Sequence, residues 1–405
     1  MGSVDEPEPP KPPEVPLGDV FSEIPLFREI QRVLLSGTGP VNWELARQVA
    51  IAVASWGTDD PPPTDEDRRG FEDTVRAAEL HVAELTGLSA PSEVATIEVQ
   101  RRSQWVEAAV GGLRELIEPS AARMSESFAK LQQDQLPPEL GGQLGGAGAG
   151  AGAAALLGPL SALLLGVQTG TVLGTIGQRA LGQYDVPLPR PATNVLQFVV
   201  PTIARFEQEW SLPPLEFRAR VALHEVVHRF EFARPWVRGH LLSLVRDYAS
   251  TLDLDLGGLQ ERLERMDISD PEALQQLFQS DEGLFGPVMD DEQRLKLARV
   301  QSFVAAAEGY GEHVTSRLGT KMLRSEPQIV EALRRSREGE SDDPVFERLL
   351  GIEMKLDQVR QGVRFCETVV EQTDEATLAL MWDSAETLPS LPELEEPRLW
   401  LARVA

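Results

Sequence analysis

The sequence predicts a mainly α-helical protein with one small β element, set just ahead of the helix that carries its most chemically distinctive residues. Three observations predict it. Apolar residues recur at helical spacing along most of the chain, Pro and Gly mostly fall between those runs, and one short segment is β-branched and apolar throughout.

Residues 1–20 set Glu6, Glu8 and Glu14 among Pro7, Pro9, Pro10, Pro12, Pro13 and Pro16, too little apolar surface to offset ordering, and read as a flexible acidic tail. From Ile24 to Trp56 the periodicity is broken at Gly37 to Pro40, which predicts two helices, the second capped by Asn42. Thr64 and Asp67 have the spacing of a capping box and open a helix carrying Phe71, Val75, Ala78, Leu80, Val82 and Leu85. A further helical stretch runs from about Pro91 to Gln133, with Val106, Val110, Leu113 and Ile117 on its apolar face and a kink or break at Pro119.

Between Glu139 and Arg179 no residue is charged, and a Gly-Ala run from Gly145 to Gly152 leads into Leu156, Leu157, Leu160, Leu163, Leu164 and Leu165. That length could span a bilayer. The segment is Gly-rich, interrupted by Pro159 and without an aromatic anchor before Tyr184, so the expectation is a closely packed pair of buried helices built on small residues, with membrane attachment as the competitor. Asn194 to Val200, closed by Pro201, is the best strand candidate. Beyond Pro214 the pattern is helical again, at about 215–232, 236–252, 257–266, 271–279, 290–319, 326–337 and 345–372. This divides the chain into the tail, an N-terminal helical region at 21–190 and a second region at 191–405, the last two forming one continuous fold.

Composition narrows the function classes. A net charge of −26 over 405 residues argues against nucleic acid and anionic membranes as partners, because both need clustered cations. A single cysteine, Cys366, excludes an intrachain disulfide and any Cys-based metal cluster, and best reads as a small core hydrophobe. With no basic-then-apolar leader in the N-terminal sequence, a reducing cytoplasmic setting is expected. No Gly-x-Ser-x-Gly, Walker-type loop or dinucleotide fingerprint stands between a strand and a helix, so serine hydrolase, nucleotidase and dehydrogenase chemistries fall away.

His224-Glu225-Val226-Val227-His228 lies within a helical pattern, and a spacing of four puts both imidazoles on one face, one turn apart, where they can converge on a metal ion. Glu225 then flanks the metal and can take a proton from a water that zinc has acidified, passing it to a leaving amine. The longer form of this motif requires Gly and His where this chain has Glu231 and Arg234, so a third ligand must come from elsewhere. Glu308 ranks first, ahead of His313 and His240, since Ala305 to Ala307 precede it and Glu312 follows one turn later, where it could fix a ligand histidine's tautomer. Gly309 and Gly311 would permit close backbone approach. Tyr310 and His313 are the candidate donors to an oxyanion. The strand at 195–200 is either a platform for an extended peptide or an ordinary buried strand, and the second reading is favoured.

These residues resemble the zincin-like metallopeptidases, a family associated with deazaflavin-coenzyme biosynthesis in actinobacteria and some other bacteria. The resemblance rests on Gly39-Pro40-Val41-Asn42-Trp43, the Leu223-to-His228 helix with Pro235-Trp236-Val237-Arg238, Glu308-Gly309-Tyr310, Gly351-Ile352-Glu353-Met354-Lys355 and the terminal Trp400-to-Val404 run. It implies a largely helical zincin-like metallohydrolase fold, His224 and His228 as zinc ligands, Glu225 as base and Glu308 as third ligand. It supplies no substrate. The resulting expectation is a zinc-dependent hydrolase of peptides or proteins; the competing one is an inactive zincin-fold binding or regulatory protein. Two His and a carboxylate suit zinc best, and the same set with open positions also suits iron(II).

Overall fold

The computed structural model describes residues 39–134, 149–184, 194–251, 290–340 and 356–404. The predicted acidic tail, the helix before Gly37 and those at 257–266 and 271–279 lie outside these residues, as does the first part of the helix expected at 345–372.

Local chemistry places the first two helices where expected. In α1 (Trp43–Ala54) the Asn42 side chain accepts from the Leu45 amide at 3.0 Å, and α2 (Asp65–Thr86) opens on a complete Thr64–Asp67 capping box and ends at Gly87 in the left-handed region. Phe71, Val75, Ala78 and Val82 of α2 face the core, while Leu80 projects into solvent.

The stretch predicted as one helix from Pro91 is instead a strand, β1 (Thr96–Gln100), followed by α3 (Arg102–Asp134). Strand formation there depends on a partner: β1 pairs in parallel with β2 (Val195–Val199), Thr96 opposite Val195 and Gln100 opposite Val199. Local helical periodicity carries no trace of that long-range ladder. Asp60 caps α3, accepting from the Arg102 and Ser103 amides at 2.9 and 3.2 Å, and Pro119 sits inside the helix without ending it. After β2, Pro201 does more than stop a strand. It occupies the first turn of α5 (Val200–Glu209), a helix the sequence reading missed.

The described part of the uncharged segment is the helix α4 (Ala149–Arg179), whose glycines at 166, 170 and 174 pack on α1. A Cβ on Gly166 would lie 2.7 Å from the Asn42 carbonyl oxygen, one on Gly170 2.5 Å from that of Ala46, and one on Gly174 2.7 Å from that of Ala50. The two backbones therefore approach as closely as small residues allow. Among the described residues no helix is long and apolar enough to cross a membrane. Substituting Ala for Gly in a helix normally stabilises by up to about 1 kcal/mol. For Gly170→Ala the sign should reverse, with chemical denaturation reading a loss of about 1–3 kcal/mol from overpacking against α1. Unchanged or raised stability would contradict this packing.

The remaining helices are α6 (Pro214–Phe232), α7 (Val237–Ala249), α8 (Asp291–Met322), α9 (Glu326–Glu340), α10 (Leu356–Gln372), α11 (Glu375–Ala379), α12 (Leu391–Glu395) and α13 (Pro397–Val404), with 3₁₀ turns at Leu380–Trp382 and Ala385–Thr387. One buried apolar cluster runs from Val41 to Trp400 and includes Cys366. At its centre α6 touches α2, α5, α7, α8 and α9, and α8 lies between α6 and α10. Such a helix is covered on nearly every side, so five of its charged or titratable residues (Arg220, Glu225, His228, Arg229 and Glu231) are buried and each requires partners.

Candidate metal centre

The buried charges of α6 differ in what they touch, Arg229 pairing with Glu79 and the Glu93 carbonyl away from the others. Arg220, one turn before His224, is sandwiched between Glu312 of α8 at 2.7 Å and Glu326 of α9 at 3.0 Å. Both carboxylates hold α6 against the helices beside it, and a buried guanidinium with two forked partners fixes their relative rotation. That rotation turns the histidine face of α6 toward Glu308.

His224, His228 and Glu308 each offer a ligand atom, and the three atoms lie within 4.8 Å of one another. Among the described residues this is the group of His, Cys, Asp and Glu side chains that could hold a metal, and His240 and His313 stand outside it. Gly311 brings the helices together: a Cβ there would sit 2.6 Å from Cε1 and 2.7 Å from Nε2 of His228, so any side chain at this position would push α8 off the imidazole.

The outer nitrogen of His228, Nδ1, lies 2.7 Å from Oε2 of Glu231, which is fully buried one turn further along α6. Nε2 of the same ring is buried and has no hydrogen-bond partner. The donor set therefore fits a divalent cation. It offers one orphaned imidazole nitrogen, a second imidazole, and an excess of carboxylates. Burial disfavours the His228 imidazolium, yet Glu231, Glu308 and Glu225 outweigh it and raise its pKa, while burial pushes the Glu231 carboxyl up in turn. Positive charge is what this pocket lacks.

Glu225 is also fully buried. Its carboxylate accepts from the Gln183 amide at 2.8 Å and from the Tyr184 amide at 3.0 and 3.1 Å. These amides belong to a short extended segment that bridges antiparallel to β2 at Gly182 and Phe198; the Val199 amide donates to the Leu181 carbonyl at 2.8 Å, and Trp105 Nε1 donates to that of Gly182 at 2.8 Å. Gly182 has to be glycine here, because a Cβ would run into the Glu225 carboxylate. Tyr184 then lays its ring 5.9 Å from that of His228 and stacks on Phe232 at 5.4 Å. β1 takes one edge of β2, and Leu181–Gly182 occupies the other edge at Phe198 and Val199.

The other predicted site residues have different partners. The carboxylate of Glu312, expected beside a ligand histidine, pairs with Arg220 and accepts from Ser316 at 2.8 Å, while the carboxylate beside His228 Nδ1 is that of Glu231. Tyr310 is buried edge-on to Trp382, 5.5 Å between centroids, with Thr86 hydrogen-bonded to its side chain; burial first, then the nearby Glu231, pushes its phenol well up. His313 faces Glu375 of α11 at 3.4 Å. Gly309 approaches α10 rather than α6. Glu231 carried a readable signal, a lone carboxylate between Phe230 and Phe232 three residues after His228. Gln183 and Tyr184 carried none, since they act through backbone amides and through a ring placed by tertiary contacts.

A largely helical protein whose central buried helix presents a His-Glu-x-x-His spacing toward a glutamate on its neighbour has the architecture of a zincin-like protein. A profile of the zincin-like metallopeptidases matches residues 41–401, and the chain belongs to that family. Among solved structures it is similar to a candidate hydrolase with a novel fold from Chloroflexus aurantiacus, at 29% identity and a TM-score of 0.65, with 90% of this chain and 98% of that one covered. No curated protein sequence matches it.

Proposed function

We propose that the protein is a zinc-dependent hydrolase of peptide or amide bonds. The observation that carries this reading is the convergence of His224, His228 and Glu308 around an imidazole nitrogen left without a partner in the core. These three residues would hold the ion. When bound, zinc supplies a Lewis acid and lowers the pKa of a coordinated water to about 7. Glu225 accepts the proton released in the attack at its carboxylate and delivers it to the leaving amine. The Gln183 and Tyr184 amides orient that carboxylate through charge-assisted hydrogen bonds, and an ionised carboxylate has acceptor sites enough for such bonds and a proton. Tyr184 walls the site on the side of His228.

One observation favours a second reading, a metal-holding protein that binds a partner without hydrolysing it. Glu225 is completely buried, with backbone amides on both of its oxygens, as a purely structural carboxylate would be. The test is Glu225→Gln in protein purified without a His tag, assayed on a peptide library with metal content measured in parallel. General base catalysis predicts a loss of about 10²–10⁴ in rate with zinc retained. Hydrolysis that survives the substitution would remove Glu225 from the mechanism. A zinc-loaded wild type that cleaves nothing would favour the binding protein.

A further inference from the structure

The carboxylate of Glu231 lies outside the three-residue group, yet it is among the most deeply buried charges in the molecule. Its Oε2 contacts His228 Nδ1 at 2.7 Å, and its Oε1 is buried without a hydrogen-bond partner. As a device for stability this is a poor arrangement. A carboxylate buried with one of its oxygens unpartnered is costly where an apolar side chain of similar volume would not be. The helix keeps it where the longer metal motif has a glycine, and it falls one turn after His228 on the same face.

We propose that Glu231 is a positioning residue of the metal centre, fixing His228 as the Nδ1–H tautomer so that its Nε2 lone pair points at the ion. This rests on the reading of His224, His228 and Glu308 as the ligands. A neutral imidazole binds metal through one nitrogen only if its proton is kept on the other, and a carboxylate acceptor at that other nitrogen both enforces the tautomer and makes the ring a stronger donor. No part of this requires Glu231 to touch metal or substrate. It acts through His228.

The experiment uses the full chain, untagged, as wild type, Glu231→Gln and Glu231→Leu, with zinc affinity measured by competition against a chromophoric chelator. Glu231→Leu should bind zinc 10–100-fold more weakly. Glu231→Gln should lose less, because its amide oxygen can still accept the Nδ1 proton while the charge is gone. Long-range proton–nitrogen NMR of the zinc-loaded proteins should show a single Nδ1–H tautomer for His228 in wild type and a mixture in the leucine variant. Thermal melts of the metal-free proteins separate folding from binding. If both variants melt early yet bind zinc per folded chain as tightly as wild type, with the tautomer unchanged, Glu231 is only a structural partner and the proposal falls. Should wild type take up no zinc, or should His228→Ala bind it undiminished, the ligand reading itself is overturned, and the proposal with it.

Discussion

Glu308→Ala should leave the protein without stably bound zinc. The two imidazoles share one turn of α6, and Glu308 is the member of the group that α8 brings to them and the one that carries charge. Its removal leaves two neutral donors where a catalytic zinc site uses three protein ligands, so affinity should fall by more than the 10–100-fold that outer partners are worth. Elemental mass spectrometry on untagged protein should read near one zinc per chain in wild type and far less in the variant. Glu308→His, which restores a third ligand, should recover part of the loss. A Glu308→Ala protein that keeps its full zinc would show that the ion sits elsewhere, and the site would have to be redrawn.

Gly362→Ala should be among the most destabilising single-methyl changes the molecule can suffer. Here α10 crosses α8 backbone to backbone: a Cβ on Gly362 would overlap the Ala305 carbonyl oxygen and lie 3.0 Å from Gly309 Cα, and one on Gly309 would lie 2.5 Å from Gly362 Cα. Neither obstacle is a side chain that could swing away. Relief requires two packed helices to separate, and we expect a cost of about 3 kcal/mol, the upper end for overpacking. Gly111 in α3 is the control, since a Cβ there meets nothing within 4 Å and alanine should stabilise by up to about 1 kcal/mol. Urea denaturation of the two variants beside wild type checks both signs. Equal midpoints would mean that α8 and α10 do not cross this closely in solution.

What could be read from the sequence was local, and what could not was produced by distant partners. Capping chemistry at Asn42, Thr64 and Asp67 needs only a few consecutive residues, and the His224–His228 spacing needs only the pitch of one helix, so both were legible. Glu308 was chosen from small neighbours and a nearby carboxylate, and the structure carries it to the histidines across Gly311. The same reasoning did not foresee that Glu312 also pairs with Arg220, because nothing in the sequence places Arg220 opposite it. Thr96–Gln100 read as helix because its pairing partner begins at Val195. The glycines of α4 promised close packing without naming α1 as the surface packed upon. Partner choice is a property of the assembled core, and single-chain periodicity does not encode it.

The parallel pairing of β1 with β2 also has a consequence in time. Two parallel strands cannot start as a hairpin, and the long helices α3 and α4 lie between these two in the chain, so the ladder closes only after distant segments have met. The Leu181–Tyr184 segment leans on β2, and the amides that grip Glu225 belong to it. Non-local closures of this kind come late and slowly in folding. The grip on Glu225 therefore depends on a non-local closure, so any species in which that ladder has opened would carry the histidine helix without its set carboxylate. Reactivity would arrive with completion of the fold rather than ahead of it.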